Sequence, residues 1–461
     1  MHILFLTPQL PYPPHQGTAM RNHGLIRGLS ERHRISLLSF REPSPADGDP
    51  SLSPKVPDPL LALCQRVETV PAPHPRPFMG RARDTFTHRL PDMALRLASP
   101  AFADRLATWL ARESFDVIQI EGLEMTPYLD LLLGARKRAQ AHTAQRPQAG
   151  SRADRGPGES HPLVVFDDHN CEYMLQKSYA QIDALSPRRW AGALYSLIQW
   201  QKLRHYEASV CRRADHVLAV SQTDAEALQR LVPDLNVTVI PNGIDTGQYQ
   251  PVSTDGAGDP GSSRSPTVVF VGKMDFRPNV DAVRWFAEEI WPQVRAEVPE
   301  ARFYAVGQRP HPQLDPLRAD PSLTLTGWVE DVRPYITHAA VYVLPLRMGS
   351  GTRLKLLEGM ALGKAIVSTR MGAEGFTGTD AEVQSRKSQQ TSSAYGLVTH
   401  DQELALVNDN DPVAFAHAVI ALLRDPARRA GLGANARAFV EAHYDWRTII
   451  PRLEALYAQA R

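Results

Sequence analysis

Cysteine is scarce in this chain: Cys64, Cys171 and Cys211 form an odd, widely spaced set, which excludes a disulfide scaffold or a zinc pattern and fits a reducing cytosol. Charge of one sign is not in excess. The formal net charge is +1 at pH 7, so the strongly basic domain of a dedicated nucleic-acid protein is missing and no nucleic-acid partner is expected. No stretch approaches the roughly 18 apolar residues that a spanning helix needs. The opening Met1-His-Ile-Leu-Phe-Leu-Thr7 has neither a basic leader nor a cleavage site. These absences predict a cytoplasmic protein whose membrane contact is at most peripheral, at the inner face. A Gly-x-Gly-x-x-Gly turn is also missing after the first apolar run, which leads into the prolines from Pro8 to Pro14, against a nicotinamide-dependent oxidoreductase.

What is present is globular. The 43% hydrophobic and 22% charged residues sit near the average for folded domains, and 461 residues exceed what one core serves, so two domains are expected. Compact runs rich in branched residues at 3–6, 34–40, 117–120 and 163–166, then at 267–272, 302–306, 323–325, 341–344 and 365–368, read as buried strands. Helical stretches lie between and after them, including 91–112, 411–424 and 428–442. That alternation implies parallel sheets covered on both faces. Residues 139–161 read as a disordered surface insertion, 43–77 as proline-loaded, and 377–395 as a polar loop. The Gly/Ser/Pro/Asp-rich stretch 255–266 is the expected linker, giving domains at 1–250 and 251–440, with 441–461 crossing back to brace the first.

The densest signal runs from Met348-Gly-Ser-Gly-Thr-Arg353 through Glu358 to Gly363 and the apolar run that follows. Leu354, Leu357 and Ala361 fall at i, i+3 and i+7, one apolar helical face, and Gly363 is placed to stop the helix in a left-handed conformation. Arg353 and Lys355 lie in the first turn, where the helix dipole disfavours a cation by roughly 0.3 to 1 kcal/mol each. A bound anion reverses that sign: N–H groups freed by Gly349 and Gly351 point at a diphosphate and the two cations close over it. The alternative is a solvated surface pair between Lys355 and Glu358.

Val220-Ser221 after a strand, Val239-Ile-Pro-Asn-Gly-Ile-Asp245, Phe270-Val-Gly-Lys-Met-Asp275 with Pro278-Asn-Val-Asp-Ala282, Gly327-Trp-Val-Glu-Asp331 and the segment through Glu358 follow in that order. Together they resemble the GT-B type retaining glycosyltransferases of glycosyltransferase family 4. The form Pro345-Leu-Arg-Met-Gly-Ser-Gly-Thr-Arg353, with an N-terminal Pro-Tyr-Pro-Pro ahead of Gly17 and Arg21, is similar to a bacterial subgroup tied to exopolysaccharide assembly. The resemblance implies an α/β fold of two Rossmann-like doubly wound domains facing across a cleft. The C-terminal domain would bind a nucleotide diphosphate sugar as co-substrate, with no other cofactor and no metal, and the N-terminal domain a glycan or lipid-linked acceptor. By the same resemblance Glu358 accepts from the nucleotide ribose. Lys273 and Arg353 neutralise the diphosphate and stabilise its departure electrostatically, with Lys355 as a third cation and Arg277 standing in for a lysine where this sequence has Asn279. Gly372 and Glu374 fall in a loop beside the donor, and Gly17 and Thr18 where backbone approaches the donor diphosphate or the acceptor. Ser350 departs from the pattern, occupying the position of the first glutamate, which touches the donor sugar.

On the acceptor side, His169 stands just past the C-terminal edge of a strand, the usual ligand side of an open sheet, as a candidate to position or deprotonate an acceptor hydroxyl. Glu121 at the preceding strand end is a comparable candidate, and Arg21 a third. Asp47-Gly-Asp49 and Asp409-Asn-Asp411 look like a metal-holding acidic pair, yet neither follows a buried strand, so both read as loop or cap. The stretch 187–213 carries Arg188, Arg189, Trp190, Trp200, Lys202 and Arg204, a mixture suited to an anionic bilayer, although such aromatic residues also anchor helices in a core. Two other functions stay open: a nucleotide-sugar epimerase of the same fold, and a degenerate nucleotide-sugar-binding protein that has lost turnover.

Overall fold

The computed structural model describes residues 1–14, 17–43, 56–144, 161–184, 190–251, 265–348, 354–376 and 402–460. It divides into two compact units, Met1–Pro241 with Ile450–Arg461, and Asn242–Ile449.

In the first unit, strands β1 (His2–Thr7), β2 (Arg34–Arg41), β3 (Arg66–Pro71), β4 (Val117–Glu121), β5 (Leu163–Asp168), β6 (His216–Ala219) and β7 (Val237–Val239) form one parallel sheet in the order β3-β2-β1-β4-β5-β6-β7. Every residue of β1, β4 and β5 is buried, as in strands whose two faces are covered, including the polar Gln119, Glu121, Asp167 and Asp168 toward the C-terminal ends of β4 and β5. The helices are α1 (Gly17–Ser30), α2 (Asp58–Leu63), α3 (Phe78–Thr87), α4 (Asp92–Arg96), α5 (Pro100–Arg112), α6 (Leu129–Ala144), α7 (Glu172–Ala184), α8 (Trp190–Arg213) and α9 (Gln222–Leu231). The strand order reverses between β1 and β4, so their C-terminal ends flank a topological switch point, where open α/β sheets bind ligands.

The second unit repeats the plan. Strands β8 (Thr267–Val271), β9 (Arg302–Val306), β10 (Leu323–Gly327), β11 (Val341–Leu344), β12 (Ile366–Thr369) and β13 (Ala405–Val407) form a parallel sheet in the order β10-β9-β8-β11-β12-β13, with the switch point between β8 and β11. Its helices include α10 (Arg277–Trp285), α11 (Trp291–Glu297), α12 (Arg333–His338), α13 (Leu354–Ala361), α14 (Pro412–Arg424) and α15 (Pro426–His443). Helix α16 (Trp446–Gln459) begins in this unit and from Ile450 onward belongs to the first.

Several expectations need correction. The division falls at Pro241, ahead of the expected linker, because the next residues are bound into the second unit: Ile244 bridges Asp445, and Thr246 N–H donates to the Asp445 carboxylate at 3.2 Å. The proline-loaded stretch contains α2 and the edge strand β3, which pairs with β2 along its length. The helix expected over 91–112 breaks at Ser99, whose hydroxyl accepts the Phe102 N–H at 3.3 Å, because Pro100 cannot continue a helix but suits the first turn of a new one. Helix α6 runs through Ala144, inside the stretch expected to be disordered; 145–160 lie outside the described residues, as do 377–401 and Asp47 to Asp49. Asp411 caps α14, accepting the Ala414 N–H at 2.9 Å, and Asp409 accepts that of Met371 at 3.0 Å, so that acidic pair is loop and cap as expected, although, against the expectation, it does follow a strand, β13.

Candidate functional site

The second unit gathers its polar side chains at the β8/β11 switch point. Strand β8 leads into Gly272, where a Cβ would meet Lys355 Nζ at 2.5 Å and Asn279 Nδ2 at 2.8 Å, so glycine there lets both side chains lie across the strand end. Lys355 Nζ donates to Asn279 Oδ1 at 2.6 Å and stands 4.9 Å over the Phe270 ring. Asn279 is buried and donates to the Lys273 carbonyl at 2.8 Å, which ties the Lys273 loop to α10. Lys355 is therefore an inward cation, not half of a solvated surface pair. Lys273 is half exposed, 3.6 Å from Asp275, and Arg277 is exposed at the start of α10.

Gly349, Ser350, Gly351 and Arg353 lie outside the described residues. The chain entering that stretch is anchored by Arg347, whose guanidinium makes a two-point contact with Asp281 of α10 at 3.0 and 2.8 Å and stacks 4.9 Å over Trp285. The chain leaving it becomes α13, held close to the sheet because Gly359 has no Cβ to meet the Tyr342 ring at 2.5 Å. Gly363 ends that helix at φ 64°, the left-handed stop expected.

Glu358 on α13 accepts a hydrogen bond from the Tyr249 hydroxyl at 3.2 Å. Burial pushes its carboxyl up, against the Tyr249 hydrogen bond and the charge of Lys355, which favour the carboxylate. Tyr249 is positioned by Arg437 of α15, which donates to the carbonyls of Tyr249 and Ala361 and, at 2.9 Å, to that of Thr246. Gly372 has a packing role. It is buried, its N–H donates to Thr369 Oγ1 at 2.9 Å, and a Cβ would lie 2.5 Å from the Leu344 carbonyl oxygen. Glu374, half-buried, follows this turn.

In the first unit the structure brings Arg21, Glu121 and His169 together. Arg21 on α1, almost fully buried, holds Asp167 through Nε at 3.0 Å and a terminal nitrogen at 2.8 Å. Gln119 donates to Glu121 at 2.5 Å and accepts from the Tyr457 hydroxyl of α16. Glu121 in turn meets His169 Nε2 at 2.7 Å. Burial disfavours the imidazolium of His169, but the Glu121 hydrogen bond and the charges of Asp167 and Glu121 outweigh it and raise its pKa. Burial and the charge of Asp167 raise the Glu121 carboxyl. Gly122, at φ 80°, leaves room for the ring: a Cβ there would stand 3.4 Å from His169 Nδ1. Gly17 and Thr18 are the first residues of α1 rather than a loop ahead of it. Donor atoms of Glu121, Asp167 and His169 lie within 4.8 Å of one another, close enough to hold a cation. The Arg21 guanidinium balances the charge of Asp167 in this cluster.

Sequence reasoning missed Asp167, Gln119 and Tyr457 behind His169, and Tyr249, Arg347 and Asp281 around α13 and the chain that leads to it. Asp167 carried a local signal, since it stands two residues before His169 at the same strand end. Gln119, two residues before Glu121, and Arg347 and Asp281, inside the motifs that carry the resemblance, had one as well; Tyr249 and Tyr457 come from distant segments and carried none.

The model described as Glycosyltransferase Family 4 matches residues 16–248, and one described as Glycosyl transferases group 1 matches residues 265–425. A curated relative from Klebsiella pneumoniae, described as an uncharacterized 44.6 kDa protein in cps region, is 24% identical over 186 residues, 39% of this chain; the match spans 42% of that relative's length. Sucrose-phosphate synthase from Thermosynechococcus elongatus superposes with a TM-score of 0.64 at 17% identity, covering 100% of this chain and 99% of that one. HepE from Anabaena, solved in complex with UDP-glucose, superposes with a TM-score of 0.59 at 16% identity, covering 100% of both chains. These likenesses establish the two-domain GT-B-like fold. With the first family match spanning half of the sequence, the chain belongs to glycosyltransferase family 4.

Proposed function

We propose that the chain transfers a sugar, with retention of anomeric configuration and without a metal ion, from a nucleotide diphosphate sugar to a hydroxyl of a glycan or lipid-linked acceptor. The product belongs to exopolysaccharide or related glycoconjugate assembly, at the inner face of the cell membrane. The observation that carries this reading is the inward Lys355, held by Asn279 at 2.6 Å across the end of β8 and one helical turn before Glu358. A cation beside a helix start suits a diphosphate, and a carboxylate one turn on suits two ribose hydroxyls. Breaking the anomeric bond builds negative charge on the departing oxygen; Lys273, Lys355 and Arg353 are assigned to stabilise it. His169, hydrogen-bonded to Glu121, is assigned to the acceptor hydroxyl. The crystals of HepE with UDP and UDP-glucose favour a nucleotide sugar donor, and the cps-region relative favours a polysaccharide context.

Purified chain incubated with a panel of nucleotide sugars, with and without lipid extract, tests the proposal. Release of nucleotide from one donor, faster with the extract that supplies the acceptor, is expected. Conversion of the donor to its epimer, or tight binding without turnover of any donor, would overturn it.

A further inference from the structure

We propose that the α3–α8 face of the first unit docks on an anionic lipid bilayer, with a lipid phosphate seated in the basic cleft beside the two helices. The inference deepens the reading of a lipid-linked acceptor, and it rests on that reading for its purpose alone.

The first turns of α8 are inside out. Trp190, Leu194 and Leu197, at i, i+4 and i+7, stand on one face and are 63%, 54% and 46% exposed, whereas Ser196 and Gln199 are buried. Gln199 accepts the Asp92 N–H at 2.8 Å and donates to Thr85 at 3.1 Å, and Lys202 Nζ donates to the carbonyls of Thr85 and His88 at 2.7 and 2.6 Å, closing the end of α3. Helix α3 repeats the pattern, with Met79 and Phe86 78% and 73% exposed and Thr85 buried. A helix pair with a polar joint and an apolar outside reverses the order expected of a surface facing water.

Charge selects the occupant. The two helices contain two acids, Asp84 and Glu207; Asp84 is paired with Arg76 at 2.9 Å, and Glu207 is wholly buried. Arg83, 77% exposed, and Arg204 face outward, whereas Lys202 is turned in to the carbonyls of Thr85 and His88. From Leu197 the same row continues through Gln201 and His205 into a cleft of about 530 Å³, also lined by His88, Arg89, Lys202 and Tyr206 and by no carboxylate. A second copy meeting this face about a two-fold axis would set these cations against their own equivalents, which opposes a dimer. A phosphate-bearing bilayer satisfies both the apolar row and the cations.

Flotation of the full chain with phosphatidylcholine vesicles, with and without phosphatidylglycerol, tests the assignment. Binding to the anionic vesicles alone is expected, weakened by salt. The pairs Trp190→Ser with Leu197→Ser, and Arg83→Gln with Arg89→Gln, should each lower the bound fraction, the second by roughly a factor of five per cation, with thermal melting unchanged. Equal binding to neutral vesicles, binding to neither, or a solution dimer that Trp190→Ser dissociates would overturn the proposal. Lipid-free nucleotide release separates the two readings: flotation without turnover of any donor sinks the transferase and leaves the docking surface standing.

Discussion

Because Glu121 is wholly buried, its hydrogen bond with His169 changes the ring more than a solvated carboxylate would. A base must be neutral to accept a proton, so a raised imidazole pKa places the acid limb of the rate profile above the ordinary histidine value of 6.5. Activity should fall as pH drops through that limb, and Glu121→Gln should move it to lower pH; a pH series of kcat/KM on both proteins reads this directly. His169→Ala is expected to lower kcat on the order of a hundredfold with little change in donor KM. On the donor side, Glu358→Gln should raise the KM for the nucleotide sugar by about tenfold, from weakening a charge-assisted hydrogen bond. Arg347→Ala, which frees the chain entering the glycine-rich stretch, should act in the same direction, with partial rescue by Arg347→Lys; calorimetric titration with the free nucleotide separates affinity from turnover. At this scale the sequence was legible where residues lie close along the chain, as for Lys355 and Glu358. It was opaque where a partner arrives from afar: Tyr249 and Glu358 stand 109 positions apart, and Tyr457 and Gln119 338 apart.

Among the elements, α7 depends on a carboxylate that it does not contain. Glu207 of α8 accepts the N–H groups of Glu172 and Tyr173, both at 3.0 Å, and satisfies the helix start. Burial pushes that carboxyl up to about 7 from 4.5, and the neighbouring Asp168 is likewise pushed up by burial and by the charge of Glu207. A carboxyl whose folded pKa is raised favours folding fully below 4.5, and that contribution is lost as pH climbs to about 7. The first unit should therefore lose on the order of 2 kcal/mol across that window from this group. Melting of wild type and Glu207→Gln across the window should show the slope flattened in the variant. Gly372→Ala should cost about 2–4 kcal/mol through the clash with the Leu344 carbonyl, visible as a lowered melting midpoint. Most of the strands that patterning found are buried ones, whose runs of branched residues announce them; the edge strand β10, partly exposed, was found as well. The edge strand β3, mostly half-buried within Arg-Val-Glu-Thr-Val-Pro, lacks that uniform apolarity and hides among prolines.

For the whole molecule, two doubly wound units could be read from the alternation of strands and helices, but not the place where one ends. Composition pointed to a polar stretch, whereas the boundary is set by which core a segment joins, and Gly243 packs against Trp446 in the second unit. The same logic governs α16. From Ile450 onward it joins the first unit, where Gly28 has no Cβ to meet Ile450 at 2.4 Å, Glu454 meets Arg32 at 2.6 Å, and Tyr457 donates to Gln119. A chain ended at residue 449 should show the first unit melting several degrees lower, with nucleotide binding to the second preserved; differential scanning calorimetry with and without nucleotide distinguishes the two transitions. Synthesis on the ribosome gives this arrangement a direction in time. The segment that closes over Gln119 emerges only after the entire second unit has been made, so the network around Glu121 and His169 cannot be completed in a nascent chain that still lacks that unit.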